Sequence, residues 1–171
     1  MIYFVFDVES IGLHGEAFAV GYVVKDSAGA TLEERLFACD PLAARGTRFS
    51  HDWIAGAIPK LPITHTSPAG LRSIFWHTWL GWRDLGATLW ADCAWPVEAR
   101  FLIKCIEDDH AAREWAGPYP LYDIATLQFS AGIDPLTTHG RKGDEPEHNP
   151  LGDARQSARI LFDCLEIMKR R

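Results

Sequence analysis

The sequence contains no uncharged apolar run of about 18 residues, the length that a membrane-crossing helix needs, so no transmembrane helix is expected. Its four cysteines form no C-x-x-C pair, and their spacing with histidine is not that of a zinc site. The first ten residues carry no basic segment before their apolar run, which predicts a buried strand rather than a signal peptide. These absences favour a cytoplasmic protein with reduced thiols.

Positive charge is also scarce, because 17 Lys and Arg residues face 23 Asp and Glu residues and the net charge is −6. A protein that coats a duplex is usually basic, so this balance argues against a sequence-reading DNA-binding module. It allows an enzyme that holds one strand end, since such an enzyme needs few phosphate contacts and bound metal ions supply positive charge locally. No G-x-G-x-x-G follows a strand, so a dinucleotide-dependent enzyme has no support.

The apolar patterns predict a single domain over residues 1–171, with secondary structure in the order βββ-α-β-α-α-α. An antiparallel meander of three strands comes first, and one further strand follows. The predicted strands are residues 2–8, 17–25, 31–38 and 86–91. The main predicted helices are residues 68–83, 96–107, 121–131 and 150–169, and a short one lies near 51–57. This order indicates an α/β fold, a mixed sheet with helices packed on it.

Two acids follow the first strand's apolar core. Asp7 and Glu9 lie on the same face of the strand, because side chains alternate between faces. Two carboxylates in this arrangement can share a divalent cation, since hard cations prefer oxygen ligands. The alternative is a strand edge that turns into solvent. The position of Asp7 argues against this alternative, because a charge directly after the apolar residues 2–6 needs a partner.

A second group of polar residues marks the start of the last helix. Pro150 is typical of a first helical turn, which places Asp153 one turn inside the helix and His148 just before it. A histidine here can take a proton from water, because its ordinary pKa is near neutral. A helix cap followed by a solvated aspartate explains the same residues equally well.

A third group lies between these two. Asp92 follows the fourth predicted strand, at the carboxyl end where sites commonly form in open α/β sheets. Glu98 lies in the first turn of the next helix, where a carboxylate also interacts favourably with the helix dipole.

Taken together, the three groups resemble the motifs of the DEDDh 3′–5′ exonucleases, the RNase T and DnaQ-like superfamily. Residues 7–13 match the first motif, D-x-E-x-x-G-L, and residues 148–153 match the third, H-x-x-x-x-D. Residues 123–127 are similar to the family's D-x-x-T-L helix. The second motif departs from the family pattern, which usually has an aspartate three residues before an apolar pair. Helix register favours Glu98 for this role, and strand position favours Asp92.

The resemblance implies a ribonuclease H-like fold, with a mixed five-stranded sheet of three antiparallel meander strands and then parallel strands. It implies that two Mg²⁺ or Mn²⁺ ions bind between Asp7, Glu9, Asp153 and the second-motif acid, Glu98 or Asp92. His148 would act as the general base.

Residues of the first motif also have an implied role in substrate binding. The backbone of Ser10, Ile11, Gly12 and Leu13 is expected to lie under the terminal nucleotide, and Leu13 could wedge against its base. Arg100, Lys142 and Arg155 are candidate phosphate contacts, although a solvated surface charge is the simpler interpretation of each.

The implied activity is removal of nucleoside 5′-monophosphates from the 3′ ends of single-stranded nucleic acid. Residues 58–62 and 89–91 resemble RNase AS-type bacterial exoribonucleases, which favours RNA. Small relatives often form homodimers, and one is expected here. The alternatives are a proofreading-type DNA exonuclease, a structure-specific endonuclease on a similar sheet, and a catalytically weak or inert nucleic-acid-binding module that keeps the fold.

Overall fold

The computed structural model describes residues 1–136 and 146–171, and its centre is a five-stranded sheet flanked by helices. The strands are β1 (Ile2–Ser10), β2 (Ala17–Lys25), β3 (Thr31–Ala38), β4 (Ala87–Ala91) and β5 (Leu121–Asp123). Their order across the sheet is β3-β2-β1-β4-β5. The first three are antiparallel to their neighbours in the meander, whereas β4 runs parallel to β1 and β5 runs parallel to β4. The predicted α/β class and mixed five-stranded sheet are confirmed.

The helices are α1 (Arg48–Ala57), α2 (Pro68–Asp84), α3 (Val97–Glu107), α4 (His110–Arg113), α5 (Ile124–Ala131) and α6 (Pro150–Lys169). A single 3₁₀ turn, Pro41–Ala43, precedes α1. Within the described part of the chain, none of these helices is long and apolar enough to cross a membrane. The predicted helix near residues 51–57 begins earlier, because Thr47 caps it by accepting a hydrogen bond from the backbone of Ser50.

The prediction of one helix over residues 121–131 is wrong at its start. Residues 121–123 form β5, which pairs with the last three residues of β4, and the helix begins only at Ile124. Asp123 ends the strand with extended backbone, and its side chain accepts a hydrogen bond from the backbone N–H of Thr126 at 2.6 Å. A strand of three residues is too short to show an alternating pattern. The sequence prediction therefore extended the helix of residues 124–131 back over these three residues.

The two faces of β1 contact different helices. Phe4, Phe6 and Val8 belong to the core that α2 and α3 cover. Tyr3 and Val5 belong to the core that α5 and α6 cover. Asp7 and Glu9 continue the second series by alternation along the strand. They therefore lie on the α6 face of the sheet.

Candidate metal centre

Three carboxylates meet where β1 approaches the start of α6. Asp7 and Glu9 come from the strand, and Asp153 lies in the first turn of the helix. One carboxylate oxygen from each lies within 4.8 Å of the others, and all three side chains are half-buried. Ions such as Mg²⁺ bind carboxylate oxygens at about 2.1 Å, so a small side-chain adjustment would let the three share a cation.

The charges around these acids are unfavourable to their ionised forms. Burial raises the pKa of Asp7 well above its ordinary value, and nearby negative charges raise it further. The carboxylates responsible belong to Glu98, Asp153, Glu9 and Asp92. Burial, followed by the charges of Asp153 and Glu98, raises the pKa of Glu9 to about 8. A bound divalent cation would reverse this imbalance, so the residues present fit such an ion.

Metal binding at this cluster is expected to depend on pH. Since the pKa of Glu9 rises from 4.5 in the unfolded chain to about 8 in the fold, the folded protein holds the extra proton between these values. The stability of the metal-free protein should therefore fall as pH rises from 4.5 to about 8, while the affinity for Mn²⁺ should rise. In thermal unfolding, Mn²⁺ should raise the melting temperature far more near pH 8 than near pH 5. A shift of equal size at both pH values would contradict this, and Glu9→Gln should flatten the dependence.

Glu98 is buried beside the two strand acids. The pairing of β1 with β4 ends at Phe6 and Ala91, and beyond that point the Glu98 carboxylate accepts a hydrogen bond from the backbone N–H of Val8. Burial raises the pKa of Glu98 to about 7, although this hydrogen bond and one from its own backbone N–H lower it. Glu98 thus meets β1 just beyond the point where its pairing with β4 ends.

Asp92 occupies a different position, on the wall of the cavity that the strand acids line. It raises the pKa of Asp7 less than Glu98 does, and Glu98 also raises that of Glu9. The backbone carbonyl of Asp92 accepts a hydrogen bond from Ala125. The structure therefore brings both second-motif candidates to the site, with Glu98 more strongly coupled to the strand acids.

The segment similar to the D-x-x-T-L motif supports the site from outside. One carboxylate oxygen of Asp123 caps α5, and the other accepts a hydrogen bond from the backbone N–H of Ala94 at 2.8 Å. Asp123 therefore fixes the loop between Asp92 and Glu98 to the start of α5.

His148 lies at the mouth of the site. Its Nδ1 is 3.6 Å from Glu9 Oε1, and its ring meets the edge of the Trp53 ring at a centroid distance of 5.5 Å. The backbone φ of His148 is +59°, a left-handed conformation that few residues other than glycine adopt. Asn149 then caps α6 by accepting hydrogen bonds from Leu151 and Gly152. The turn that starts α6 thus holds both His148 and Asp153 toward β1.

The site opens into a cavity of about 720 Å³. Besides the acids and His148, its walls include Leu13 and two side chains from α1, Phe49 and Trp53. These three apolar side chains are 63%, 80% and 50% exposed, respectively. The aromatic pair was missed from the sequence, because residues 40–70 carry four prolines and only a short helix was predicted there. Its i, i+4 spacing was the available signal.

The first-motif turn forms another part of the wall. Ser10 Oγ donates a hydrogen bond to the carbonyl of Gly12 at 2.8 Å. Gly12 has φ +69°, and a Cβ added there would lie 2.7 Å from Ser50 Oγ. The Ile11 side chain is buried in a core with Phe18, so only its neighbours Ser10, Gly12 and Leu13 line this cavity.

The three candidate phosphate contacts have different surroundings. Arg155 forms a two-pronged ion pair with Glu34 of β3, with Nε and Oε2 3.0 Å apart. Arg100 is exposed on α3. Lys142 lies outside the described residues.

Close contact between the sheet and α6 depends on a glycine in β2. Gly21 pairs with Asp7, and a Cβ added there would lie 2.2 Å from both the Pro150 carbonyl carbon and the Leu151 nitrogen. A side chain at this position would therefore push the first turn of α6, and Asp153 with it, away from β1. The sequence signal was a glycine inside a strand pattern, which often marks a close backbone approach.

Replacement of Gly21 by alanine tests this contact. Overpacking should lower the free energy of unfolding by about 1–3 kcal/mol, and the displaced Asp153 should weaken Mn²⁺ binding. Urea unfolding and calorimetric titration measure the two effects. Gly81→Ala in α2 is the matched control, because a Cβ there meets no atom within 4 Å and the helix should gain up to about 1 kcal/mol. A Gly21→Ala protein with wild-type stability and metal affinity would contradict the account.

Comparison of the chain with protein-family models and with curated proteins finds no match.

Proposed function

We propose that the protein is a metal-dependent 3′–5′ exonuclease of the DEDDh type, built on a ribonuclease H-like fold. The observation that carries the proposal is the convergence of three carboxylates with His148 beside them. Asp7 and Glu9 alternate along β1, and Asp153 comes from α6, which is distant in the sequence. The five-stranded mixed sheet is the arrangement that the resemblance implies. The position of each motif residue therefore supports the activity that the motifs suggest.

Asp7, Glu9 and Asp153 would hold the cations, and Glu98 or Asp92 would complete the set. When bound, two Mg²⁺ or Mn²⁺ ions would supply an activated water and stabilise the leaving 3′ oxygen. The raised pKa values of Asp7 and Glu9 describe the cost of gathering these carboxylates without that positive charge.

His148 is the proposed base for the attacking water. Its side chain is 42% exposed at the mouth of the cavity, where a water can reach it. Its Nδ1 lies 3.6 Å from a carboxylate oxygen of Glu9. That distance is too long for a hydrogen bond, so the ring can still move toward the water.

The apolar walls suit an unpaired base. Leu13 from the first-motif turn and Phe49 and Trp53 from α1 present exposed surface beside the acids. Bases stack on aromatic side chains whatever their sequence, each such contact contributing about 1–3 kcal/mol. A frayed or single-stranded 3′ end can enter such a cavity, and we propose RNA as the preferred strand and a homodimer as the assembly, both on the resemblance alone.

The second-motif acid can be assigned by two isosteric replacements. Glu98→Gln should lower turnover at least about a hundredfold, because Glu98 is the stronger charge partner of Asp7 and removal of one group that stabilises a transition state costs about 2.7–4 kcal/mol. Asp92→Asn should lower it less than about tenfold. In the Glu98→Gln protein the new amide oxygen could still accept from Val8, so the fold should persist. The reverse ranking would assign the role to Asp92.

Hydrolysis of the p-nitrophenyl ester of thymidine 5′-monophosphate tests the proposed activity. This substrate needs only the first cavity, and its product is coloured. Turnover that requires Mn²⁺ and stops with chelator is expected. No turnover at millimolar Mn²⁺ would contradict the proposal and favour the inert nucleic-acid-binding module.

A further inference from the structure

A second cavity of about 940 Å³ adjoins the first across the first-motif turn. Both cavities share five residues as a common border: Ser10, Gly12, Leu13, Ser50 and Val97. The second cavity continues from this border along the segment before α1, the start of α2 and the length of α3. A strand whose end lies at the carboxylates would therefore cross Gly12 and Leu13 and enter the second cavity.

The two cavities differ in charge. The first is lined by five acids, namely Asp7, Glu9, Asp92, Glu147 and Asp153. The second is lined by four Arg or Lys residues and three acids: Arg45, Arg72, Arg100 and Lys104 with Glu16, Glu107 and Asp108. The second cavity is thus net positive on a chain whose net charge is −6.

Two of the four basic residues that line the second cavity form ion pairs there, and two do not pair with any described residue. Arg72 binds Asp108 and Glu16, with nitrogen–oxygen distances of 2.6 and 2.8 Å, and Lys104 pairs with Glu107. Arg45 and Arg100 are exposed, and their guanidinium groups have no ion-pair partner among residues 1–136 and 146–171. A guanidinium presents paired N–H groups that match two phosphate oxygens, so both are suited to a phosphate.

The wall that carries Arg45 is held in place by buried charge. Arg72 is 6% exposed, and Glu16, its partner, also accepts a hydrogen bond from the backbone N–H of Arg45 at 3.0 Å. The backbone N–H of Glu16 donates to the carbonyl of Arg45 at 2.7 Å. The same network reaches Asp108 at the end of α3, the helix that carries Arg100. Arg45 therefore lies on a loop segment whose backbone is tied to Glu16 by hydrogen bonds, and Arg100 lies on α3.

We propose that the second cavity binds the part of a single nucleic acid strand on the 5′ side of the nucleotide being removed, with Arg45 and Arg100 on its phosphates. This inference rests on the proposed exonuclease function, because that function places the 3′ end at the carboxylates. It makes the substrate a strand of several nucleotides rather than a dinucleotide.

The test compares the wild type with the double variant Arg45→Gln/Arg100→Gln. Arg170→Gln is the control, because it removes a charge of the same kind at the far end of α6, about 25 Å from Asp153. Binding of a labelled single strand of about ten nucleotides is followed by fluorescence anisotropy, with Ca²⁺ as the divalent cation. The double variant should bind about tenfold more weakly, and its salt dependence should be shallower by about 1.4 in the log–log slope, since each phosphate contact contributes about 0.7. The control should bind as the wild type does.

Hydrolysis separates this inference from the proposed function. With Mn²⁺, the double variant should raise the ratio of the strand KM to the nucleotide ester KM about tenfold. Equal strand binding by wild type and double variant would overturn the second-cavity proposal even if the ester is hydrolysed. If the wild type does not hydrolyse either substrate but the double variant still binds the strand more weakly, the proposed exonuclease activity is overturned. The proposal that the second cavity binds a strand is then still supported.

Discussion

Asp153→Asn is expected to lower turnover at least about a thousandfold and to raise the melting temperature of the metal-free protein. The loss follows because Asp153 completes the oxygen cluster with Asp7 and Glu9. A metal contribution of several kcal/mol to transition-state stabilisation corresponds to that factor, at about 1.36 kcal/mol for each tenfold change. Steady-state kinetics with the nucleotide ester would measure it.

The gain in stability follows from the same charges. Asp153 raises the pKa of both Asp7 and Glu9, so its removal relieves repulsion in the metal-free fold. Relief of about 1 kcal/mol would raise the melting temperature by about 2–4 °C in a protein of this size. Mn²⁺ should then stabilise the variant much less than the wild type.

Asp163→Asn is the matched control for this prediction. Asp163 is exposed on the same helix, and the same substitution there leaves the oxygen cluster intact. It should keep wild-type turnover and metal response. We infer that Asp153 is a metal ligand whose charge destabilises the metal-free fold. An Asp153→Asn protein that remains active would contradict the first part. One that is inactive but less stable than the wild type without metal would contradict the second.

His148→Asn is expected to lower turnover by about 10²–10⁴, the range typical of a lost general base, while Mn²⁺ binding persists. Asparagine is the chosen replacement because it tolerates the left-handed backbone that His148 adopts and cannot take the proton. The oxygen cluster contains no atom of His148, so the metal should still raise the melting temperature. Calorimetric titration and ester kinetics measure the two properties separately.

His77→Asn provides the comparison for His148. His77 is exposed on α2, where its Nδ1 lies 2.7 Å from the backbone carbonyl of Ser73, so its loss should change neither property. A His148→Asn protein with wild-type turnover would remove the proposed base. Loss of metal binding in that protein would instead indicate that His148 is itself a ligand.

The sheet was predictable from the sequence where its pattern is local. The strands β1 to β3 are long and are separated by short turns, so each is visible in its own residues. The strand β5 was not predictable in this way, because its three residues are extended only where they pair in parallel with β4. That pairing joins segments about 30 residues apart, which local periodicity cannot show.

The site was predictable in its residues and less so in its surroundings. Asp7, Glu9, His148 and Asp153 stood out by spacing and by position on their elements. The contact of Gly21 with Pro150 joins β2 to α6 across more than a hundred residues, and the pairing of Arg155 with Glu34 is similarly distant. The choice between Glu98 and Asp92 stayed open because it depends on how α3 is placed beyond the end of β4.

A 5′-labelled single strand of RNA or DNA, incubated with the protein and Mn²⁺, tests the central claim most directly. The label should appear in a ladder that shortens one nucleotide at a time from the 3′ end, with nucleoside 5′-monophosphates released, and chelator should stop it. Internal fragments, or cleavage that persists in chelator, would contradict a metal-dependent 3′–5′ exonuclease.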